Sequence, residues 1–371
     1  MIELKSLCKS FDGVPAVRDL NLVVGRGEFL CLLGSSGCGK STTLRMIAGF
    51  IRPDSGSVLI DGVDVSGFGP DARPTSMVFQ DYAIFPHLTV AENIEFGLKA
   101  QKLGREERAR RTEEALDMVG LAGLGGRRPN ELSGGQQQRV AVARSLAIRP
   151  SVLLMDEPLS NLDAKTRIQL RTQLREIQRG TGTTIVYVTH DQEEALALGD
   201  RIAVMRDGSL EQLGSGHEIY LTPANGYVAD FVGMTNWLAG EVAGTSPGSW
   251  DVEIAGAVLP VTPAGASASV PRGAPVDVSV RPEDVTLAGD GDGSAPALRG
   301  VVRDVQFLGP VVRTYVDVGG SIVIVHSAQS GRSPGEAVRL VVGRARAFPR
   351  AEGAWRPPSA RAESAVAVAA G

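Results

Sequence analysis

The sequence predicts an α/β domain followed by a β-rich domain. From the start of the chain to about residue 232, short apolar runs alternate with longer segments of helical period, the pattern of a sheet covered by helices. Beyond residue 231 the composition turns to Gly, Ala, Val and Pro with short alternating runs, as in an all-β fold. At 371 residues the chain exceeds what one hydrophobic core usually serves, so two cores are expected. The expected division is 1–232, then 233–350, then a low-complexity Ala, Ser and Val tail over 351–371 that is expected to fray.

Residues 28–33, 151–155, 184–188 and 202–205 are rich in Val, Ile and Leu and do not alternate. That is the signature of central strands buried on both faces. Residues 41–48, 105–119, 135–147, 164–178 and 192–198 lack internal proline, carry helix formers and are read as helices, with Pro150 marking one exit. In the last third, 276–280, 312–318 and 322–325 alternate as half-buried strands.

Hydrophobic residues make up 43% and charged residues 22%, enough apolar material for packed interiors. A formal net charge of -4 supplies no field for wrapping nucleic acid or coating an anionic bilayer. Cys8, Cys31 and Cys38 show neither zinc nor disulfide spacing, and a reducing cytoplasm is expected. No charged start leads into an apolar stretch, and Gly, Arg or Asp interrupts every apolar run before it could span a membrane. The chain is therefore not expected to form a pore itself.

Gly34-Ser35-Ser36-Gly37-Cys38-Gly39-Lys40-Ser41 matches GxxxxGK[ST], directly after an apolar strand and before a helix, the context this phosphate loop requires. Glycines let the backbone approach phosphates and turn its N–H groups inward, and the helix that follows offers its positive end. Lys40 is expected to meet the β- and γ-phosphates of ATP, Ser41 to supply a hydroxyl to Mg²⁺, and Thr42 to donate toward the α-phosphate. The plainer alternative is a glycine loop that merely ends a strand.

A second motif argues against that alternative. The run 151–155 ends in Asp156, Glu157 and Pro158, and neighbours on a strand point to opposite sides. Asp156 is expected to serve Mg²⁺ through water, while Glu157 faces the γ-phosphate and acts as the base that orients the attacking water. An Asp-Glu pair capping a turn is the bland reading, and Lys40 beside it makes that reading weaker.

Leu132-Ser133-Gly134-Gly135-Gln136 resembles the LSGGQ signature of ABC ATPases and stands between the two nucleotide motifs in that family's order. The resemblance covers roughly residues 1–231. It implies a P-loop ABC ATPase domain, with a mixed sheet, covering helices and a helical signature subdomain. It also implies a head-to-tail homodimer in which ATP lies between the 34–42 loop of one copy and Ser133, Gly134, Gly135 and Gln136 of the other. Phe11 looks like the aromatic that stacks on adenine, and Gln80 like the residue that reaches Mg²⁺ and the attacking water. Ser160-Asn161-Leu162-Asp163 resembles the loop that crosses the dimer seam, and His190 the histidine that contacts the γ-phosphate.

The segment after Gln80, Tyr82-Ala83-Ile84-Phe85-Pro86-His87-Leu88, is unusually apolar, and exposed apolar surface wants a partner. In the family this region receives a helix of the membrane-embedded permease. The resemblance therefore implies a peripheral protein at the cytoplasmic face of the cell membrane, with an extracytoplasmic solute-binding protein as an indirect partner. Phe231-Val232-Gly233-Met234-Thr235-Asn236 and Val278-Ser279-Val280-Arg281-Pro282-Glu283 resemble the OB-like regulatory domain of importer ATPases. Such domains accompany importers of sugars, polyamines, ferric iron, thiamine or phosphonates, and 233–236 leans toward polyamine and iron. OB folds also bind single-stranded nucleic acid, but few aromatics and no basic stripe follow Leu238, so no such partner is expected.

Two other classes fit the sequence less well. A soluble ABC-like ATPase of DNA repair or translation carries a long coiled coil or two cassettes, and this chain shows neither. A non-catalytic regulatory module would have lost Lys40 or Glu157, and both are present.

Overall fold

The structure, a computed structural model, describes residues 1–264, 270–288, 296–329, 331–350 and 357. Two compact units divide the chain, Met1–Glu218 and Ile219–Gly371. The first contains strands β1 (Ile2–Phe11), β2 (Val14–Val24), β3 (Phe29–Gly34), β4 (Ser55–Ile60), β5 (Val63–Asp64), β6 (Thr75–Val78), β7 (Val152–Asp156), β8 (Thr184–Thr189), β9 (Arg201–Arg206) and β10 (Ser209–Gly214). Its helices are α1 (Lys40–Ala48), α2 (Val90–Ala100), α3 (Arg105–Met118), α4 (Gly134–Ala147), α5 (Ala164–Thr181) and α6 (Gln192–Leu198).

One sheet runs β10-β9-β3-β8-β7-β6, parallel throughout except for the β10 edge. The strands expected to be central, β3, β7, β8 and β9, occupy its interior positions. Every residue of β3, β7 and β8 is buried, because helices or the other sheet cover both faces. A second, antiparallel sheet, β2-β1-β4-β5, has strands that alternate only partly, which gives it a weak signature in the sequence. Ile2, Leu4, Leu22 and Val24 of that sheet share one apolar core with Leu30, Leu154 and Val186 of the parallel sheet. Leu44, Met46 and Ile47 of α1 lie in the same core, which fixes the helix that follows the glycine loop.

Between β6 and β7 the chain forms a helical layer in which α2 and α3 pack on α4. Thr89 and Glu92 close a capping box that starts α2. Buried Asn93 holds the preceding loop, its side-chain oxygen accepting from the Phe85 amide at 2.9 Å and its nitrogen donating to Phe85 O at 3.1 Å and Thr89 O at 2.9 Å.

Helix α7 (Gly216–Leu221) carries the boundary between units, and α8 (Gly226–Phe231) follows it. The remaining strands are β11 (Asn236–Ser246), β12 (Ser249–Ile254), β13 (Ala257–Pro263), β14 (Pro275–Val280), β15 (Val285–Ala288), β16 (Ala297–Phe307), β17 (Val312–Val318), β18 (Ser321–Ser327), β19 (Ala337–Val342) and β20 (Ala345–Pro349). Strands β11-β12-β13-β20-β14 close into a barrel, which accounts for the OB-like expectation. A five-stranded sheet, β15-β19-β16-β17-β18, shares its core, with Trp250, Val252 and Val278 meeting Val316, Val323 and Leu340.

The division at Glu218 falls before the expected residue 232. Within the second unit Arg281 donates to Ala229 O at 3.0 Å and Met234 O at 3.1 Å, and Trp237 Nε1 to Asp230 Oδ1 at 3.1 Å. Those bonds tie the segment after 218 to the β-rich unit. The tail expected over 351–371 lies outside the described residues apart from Pro357. Among the described residues no helix is long and apolar enough to cross a membrane.

Candidate functional site

The glycine loop runs from Gly34, the last residue of β3, to Lys40, the first of α1. Gly37 at φ 80° and Gly39 at φ 100° adopt left-handed backbone, and a Cβ on Gly39 would lie 2.3 Å from Ala16 O. A Cβ on Gly34 would lie 2.4 Å from Cys38 Sγ. The motif's glycines are thus demanded by backbone sterics as well as by phosphate access. Ser35, Ser36 and Gly37 form an exposed rim, while Cys38, Gly39 and Lys40 are buried beneath it. Burial pushes the Cys38 thiol up, against the pull of the Lys40 charge, so the thiol stays neutral.

No side chain caps α1 and no acid stands in its first turn, which leaves its positive end for an anion. Lys40 is 5% exposed, and its Nζ donates to Gly34 O at 2.8 Å and Ser35 O at 2.9 Å. Among the described residues no carboxylate pairs with it. A buried ammonium held by two carbonyls and the Cys38 sulfur at 3.8 Å, beside an uncapped helix start, fits a phosphate chain. Thr42 follows on α1, half-buried.

Ser41 Oγ donates to Asp156 Oδ1 at 2.7 Å, so two of the expected magnesium ligands meet. Asp156 is 5% exposed, with Arg45 Nη2 at 3.6 Å from Oδ2. Gln80, the third, is exposed, and its Nε2 lies 3.5 Å from Ser160 Oγ, while Asn161 Nδ2 donates to Gln80 O at 3.3 Å. Gln80 is therefore tied here to the loop before α5. The donor set of hydroxyl, carboxylate and amide oxygen is hard, and among the described residues no group of three or more His, Cys, Asp or Glu side chains is placed to hold a metal ion. Such a sparse set fits magnesium, which keeps waters and takes phosphate oxygens.

Strand alternation does not separate Asp156 from Glu157. Strand β7 stops at Asp156, and Glu157 adopts φ 45°, a left-handed conformation rare outside glycine. The Glu157 amide donates to Val188 O at 3.0 Å and Ser160 Oγ donates to Glu157 O at 3.0 Å, which fixes the turn. His190 Nδ1 lies 2.9 Å from Glu157 Oε2.

Asp163 caps α5 by accepting the Thr166 amide at 3.0 Å, and the Thr166 hydrogen bonds hold its carboxyl below its ordinary value. Arg167, which sequence reasoning missed, donates to Leu162 O at 3.1 Å and to Asp191 Oδ2 at 2.9 Å. It thereby links the loop before α5 to the residue following His190. No local pattern marks an arginine on a charged helix for that task.

Ser133 caps α4 in a reciprocal pair with Gln136: Ser133 Oγ accepts the Gln136 amide at 3.3 Å, and Gln136 Oε1 accepts the Ser133 amide at 3.0 Å. A Cβ on Gly135 would lie 2.8 Å from Thr166 Cγ2, and one on Gly134 would lie 3.5 Å from Leu162 Cδ2. The signature thus packs beside the start of α5, with Ser133 and Gly134 facing outward. Phe11 is 47% exposed, with Lys9 Nζ 5.4 Å from its ring centroid.

The apolar segment after Gln80 is less exposed than its composition implied. Tyr82 is buried, and Arg144 donates to Tyr82 O at 3.0 Å and Ala83 O at 2.7 Å, holding two consecutive left-handed residues. Phe85 packs on Phe96 with ring centroids 4.6 Å apart. The outward apolar surface of this unit includes Phe96 and Phe50, which a sequence window around Gln80 does not capture.

A P-loop ATPase is the class that this sheet, glycine loop and paired carboxylates define. The family described as ABC transporter matches residues 17–160, and the TOBE domain family matches residues 278–348. The Fe(3+) ions import ATP-binding protein FbpC of Rhizobium etli is 45% identical over 341 residues, covering 91% of this chain and 94% of that one. The spermidine/putrescine import ATP-binding protein PotA of Acidothermus cellulolyticus is 48% identical over 341 residues, covering 89% and 87%. Among solved structures, the dimeric bacterial ABC transporter cassette MJ0796 matches with a TM-score of 0.53 and 36% identity, over 58% of this chain and 98% of that one. The chain belongs to the ABC-transporter family as an ATP-binding, ATP-hydrolysing subunit.

Proposed function

We propose that two copies of this chain enclose ATP and Mg²⁺ and that hydrolysis drives import of a small solute through a separate permease. The observation that carries this reading is the split of the phosphate-binding parts. Lys40, Ser41 and Asp156 meet in one place, while Ser133 and Gly134 face outward beside α5 and need a phosphate from another molecule. The MJ0796 cassette, solved as a dimer and in a post-hydrolysis state with ADP and Pi, supports that arrangement.

Ser41 and Asp156, with Gln80 swung from Ser160, would hold Mg²⁺, which neutralises charge on the β- and γ-phosphates when bound. Lys40 and the α1 amides hold the phosphates, and Phe11 stacks on adenine. Glu157 orients water toward the γ-phosphorus and takes its proton as the bond to the bridging oxygen breaks and ADP leaves. His190, exposed at its ring, donates to the γ-phosphate, and Asp163 lines the seam.

The region 80–88 with Phe96 is the docking surface for the permease, and the chain works at the cytoplasmic face of the cell membrane with an extracytoplasmic binding protein. The solute is ferric iron or a polyamine, as the names of the relatives suggest, with phosphonate next and sugar or thiamine as alternatives. Uptake of labelled ferric iron, spermidine, putrescine and phosphonate in cells lacking this chain tests the solute. One should fall and return with the wild-type chain but not with Glu157→Gln; uptake unchanged for all four removes the iron, polyamine and phosphonate assignments, and unchanged uptake of sugars and thiamine as well removes the import reading.

A further inference from the structure

His190 sits between Thr189, the last residue of β8, and Asp191, the N-cap of α6. Its side chain is 61% exposed, so packing does little to hold it, and the backbone on either side sets where the imidazole stands. One buried acid grips that backbone from both sides. Glu194 is 3% exposed, and its Oε2 accepts the Tyr187 hydroxyl and the Thr189 hydroxyl, each at 2.8 Å. Thr189 Oγ1 in turn accepts the Asp191 amide at 2.9 Å, and Asp191 Oδ1 accepts the Glu194 amide at 3.1 Å. These bonds close a circuit that contains both chain neighbours of His190.

The circuit is anchored in the parallel sheet. Tyr187 is fully buried, and its ring packs on Phe29 of β3 with centroids 5.8 Å apart. Arg167 takes the other Asp191 oxygen at 2.9 Å and brings its Nε to 3.6 Å from Glu194 Oε1. Burial pushes the Glu194 carboxyl up, while the two hydroxyls pull it down. A buried carboxyl is costly unless its bonds are made. Asp191 already caps α6, so that helix does not need Glu194 for its start.

We propose that Glu194 is a positioning residue for ATP hydrolysis, acting through Thr189 and Asp191 to hold His190 within reach of Glu157 and of the γ-phosphate. The inference rests on the role given to His190 under the proposed function. A reacting group displaced by about 1 Å can lose on the order of 100-fold in rate. A hydrogen-bonded support beneath an exposed side chain prevents that displacement.

The test measures kcat and the KM for ATP of the full chain carrying Glu194→Ala, Glu194→Gln or Thr189→Val, each also in a His190→Ala background. Glu194→Ala and Thr189→Val should each lower kcat roughly tenfold or more, with KM within about twofold of wild type. Glu194→Gln should keep most of the rate, because its amide oxygen can accept both hydroxyls. Once His190 is replaced by alanine, neither Glu194→Ala nor Thr189→Val should lower the rate further, since both act through that residue. Thr189→Val carries the test alone if Glu194→Ala does not fold. Wild-type turnover in these variants, or an equal fall in both backgrounds, overturns the proposal. Wild-type turnover in His190→Ala alone overturns the role of His190 itself, and this inference with it.

Discussion

Glu157 Oε2 and His190 Nδ1 lie 2.9 Å apart although 33 positions separate them in the chain. The parallel register of β7 on β8 pairs Asp156 with Val188, so both strands deliver their next residues to the same edge of the sheet. The left-handed turn at Glu157 then swings its carboxylate toward the imidazole. A carboxylate and an imidazole so placed can share the work of holding a water and a developing phosphate charge.

His190→Ala should lower ATP turnover roughly 100-fold or more while leaving ATP affinity close to wild type. Steady-state hydrolysis and nucleotide titration read the two effects separately. Unchanged turnover would remove His190 from the mechanism.

Lys40→Ala should act on binding. It deletes a charge that is 5% exposed and bonded to the carbonyls of Gly34 and Ser35 and to the Cys38 sulfur, with no carboxylate partner among the described residues. ATP affinity is expected to drop about tenfold or more, the scale of one strong charge-assisted contact. Equilibrium titration with a fluorescent ATP analogue measures it.

Gly39→Ala should cost about 1–3 kcal/mol, because the position is left-handed and its new Cβ meets the Ala16 carbonyl. The loop must shift to relieve that contact, so nucleotide affinity should fall with stability. Chemical denaturation and ATP titration of the same variant check both.

Acid should loosen the start of α5. The Thr166 hydrogen bonds depress the Asp163 carboxyl below its ordinary 3.8, so the cap is fully present above that value and is lost as pH falls through the depressed one. Asp163→Asn keeps an acceptor that does not titrate. Exchange of the Thr166 amide, corrected for intrinsic rate, should become acid-sensitive in the wild type and not in the variant.

Contiguous motifs were legible because their chemistry and their backbone demands coincide. Gly34, Gly37, Gly39 and Lys40 must be what they are for local reasons, and the strand and helix flanking them are strongly patterned. The central strands were legible for the same reason, being apolar from end to end. Other features depend on tertiary register. The strand rule placed Asp156 and Glu157 on opposite sides, whereas the chain leaves the strand between them. Arg167 joins Leu162 to Asp191 only once α5 and α6 are packed, and Arg346 meets Thr262 and Ser279 only when the barrel closes. Tyr82 reads as exposed apolar surface until Arg144 and the helical layer cover it.

Sedimentation of Glu157→Gln with ATP and Mg²⁺ tests the account most directly. Removing the base should preserve nucleotide binding and trap the closed pair, so the account predicts a dimer that reverts to monomer when Ser133→Ala is added. A Glu157→Gln chain that binds ATP yet sediments as a monomer would contradict it.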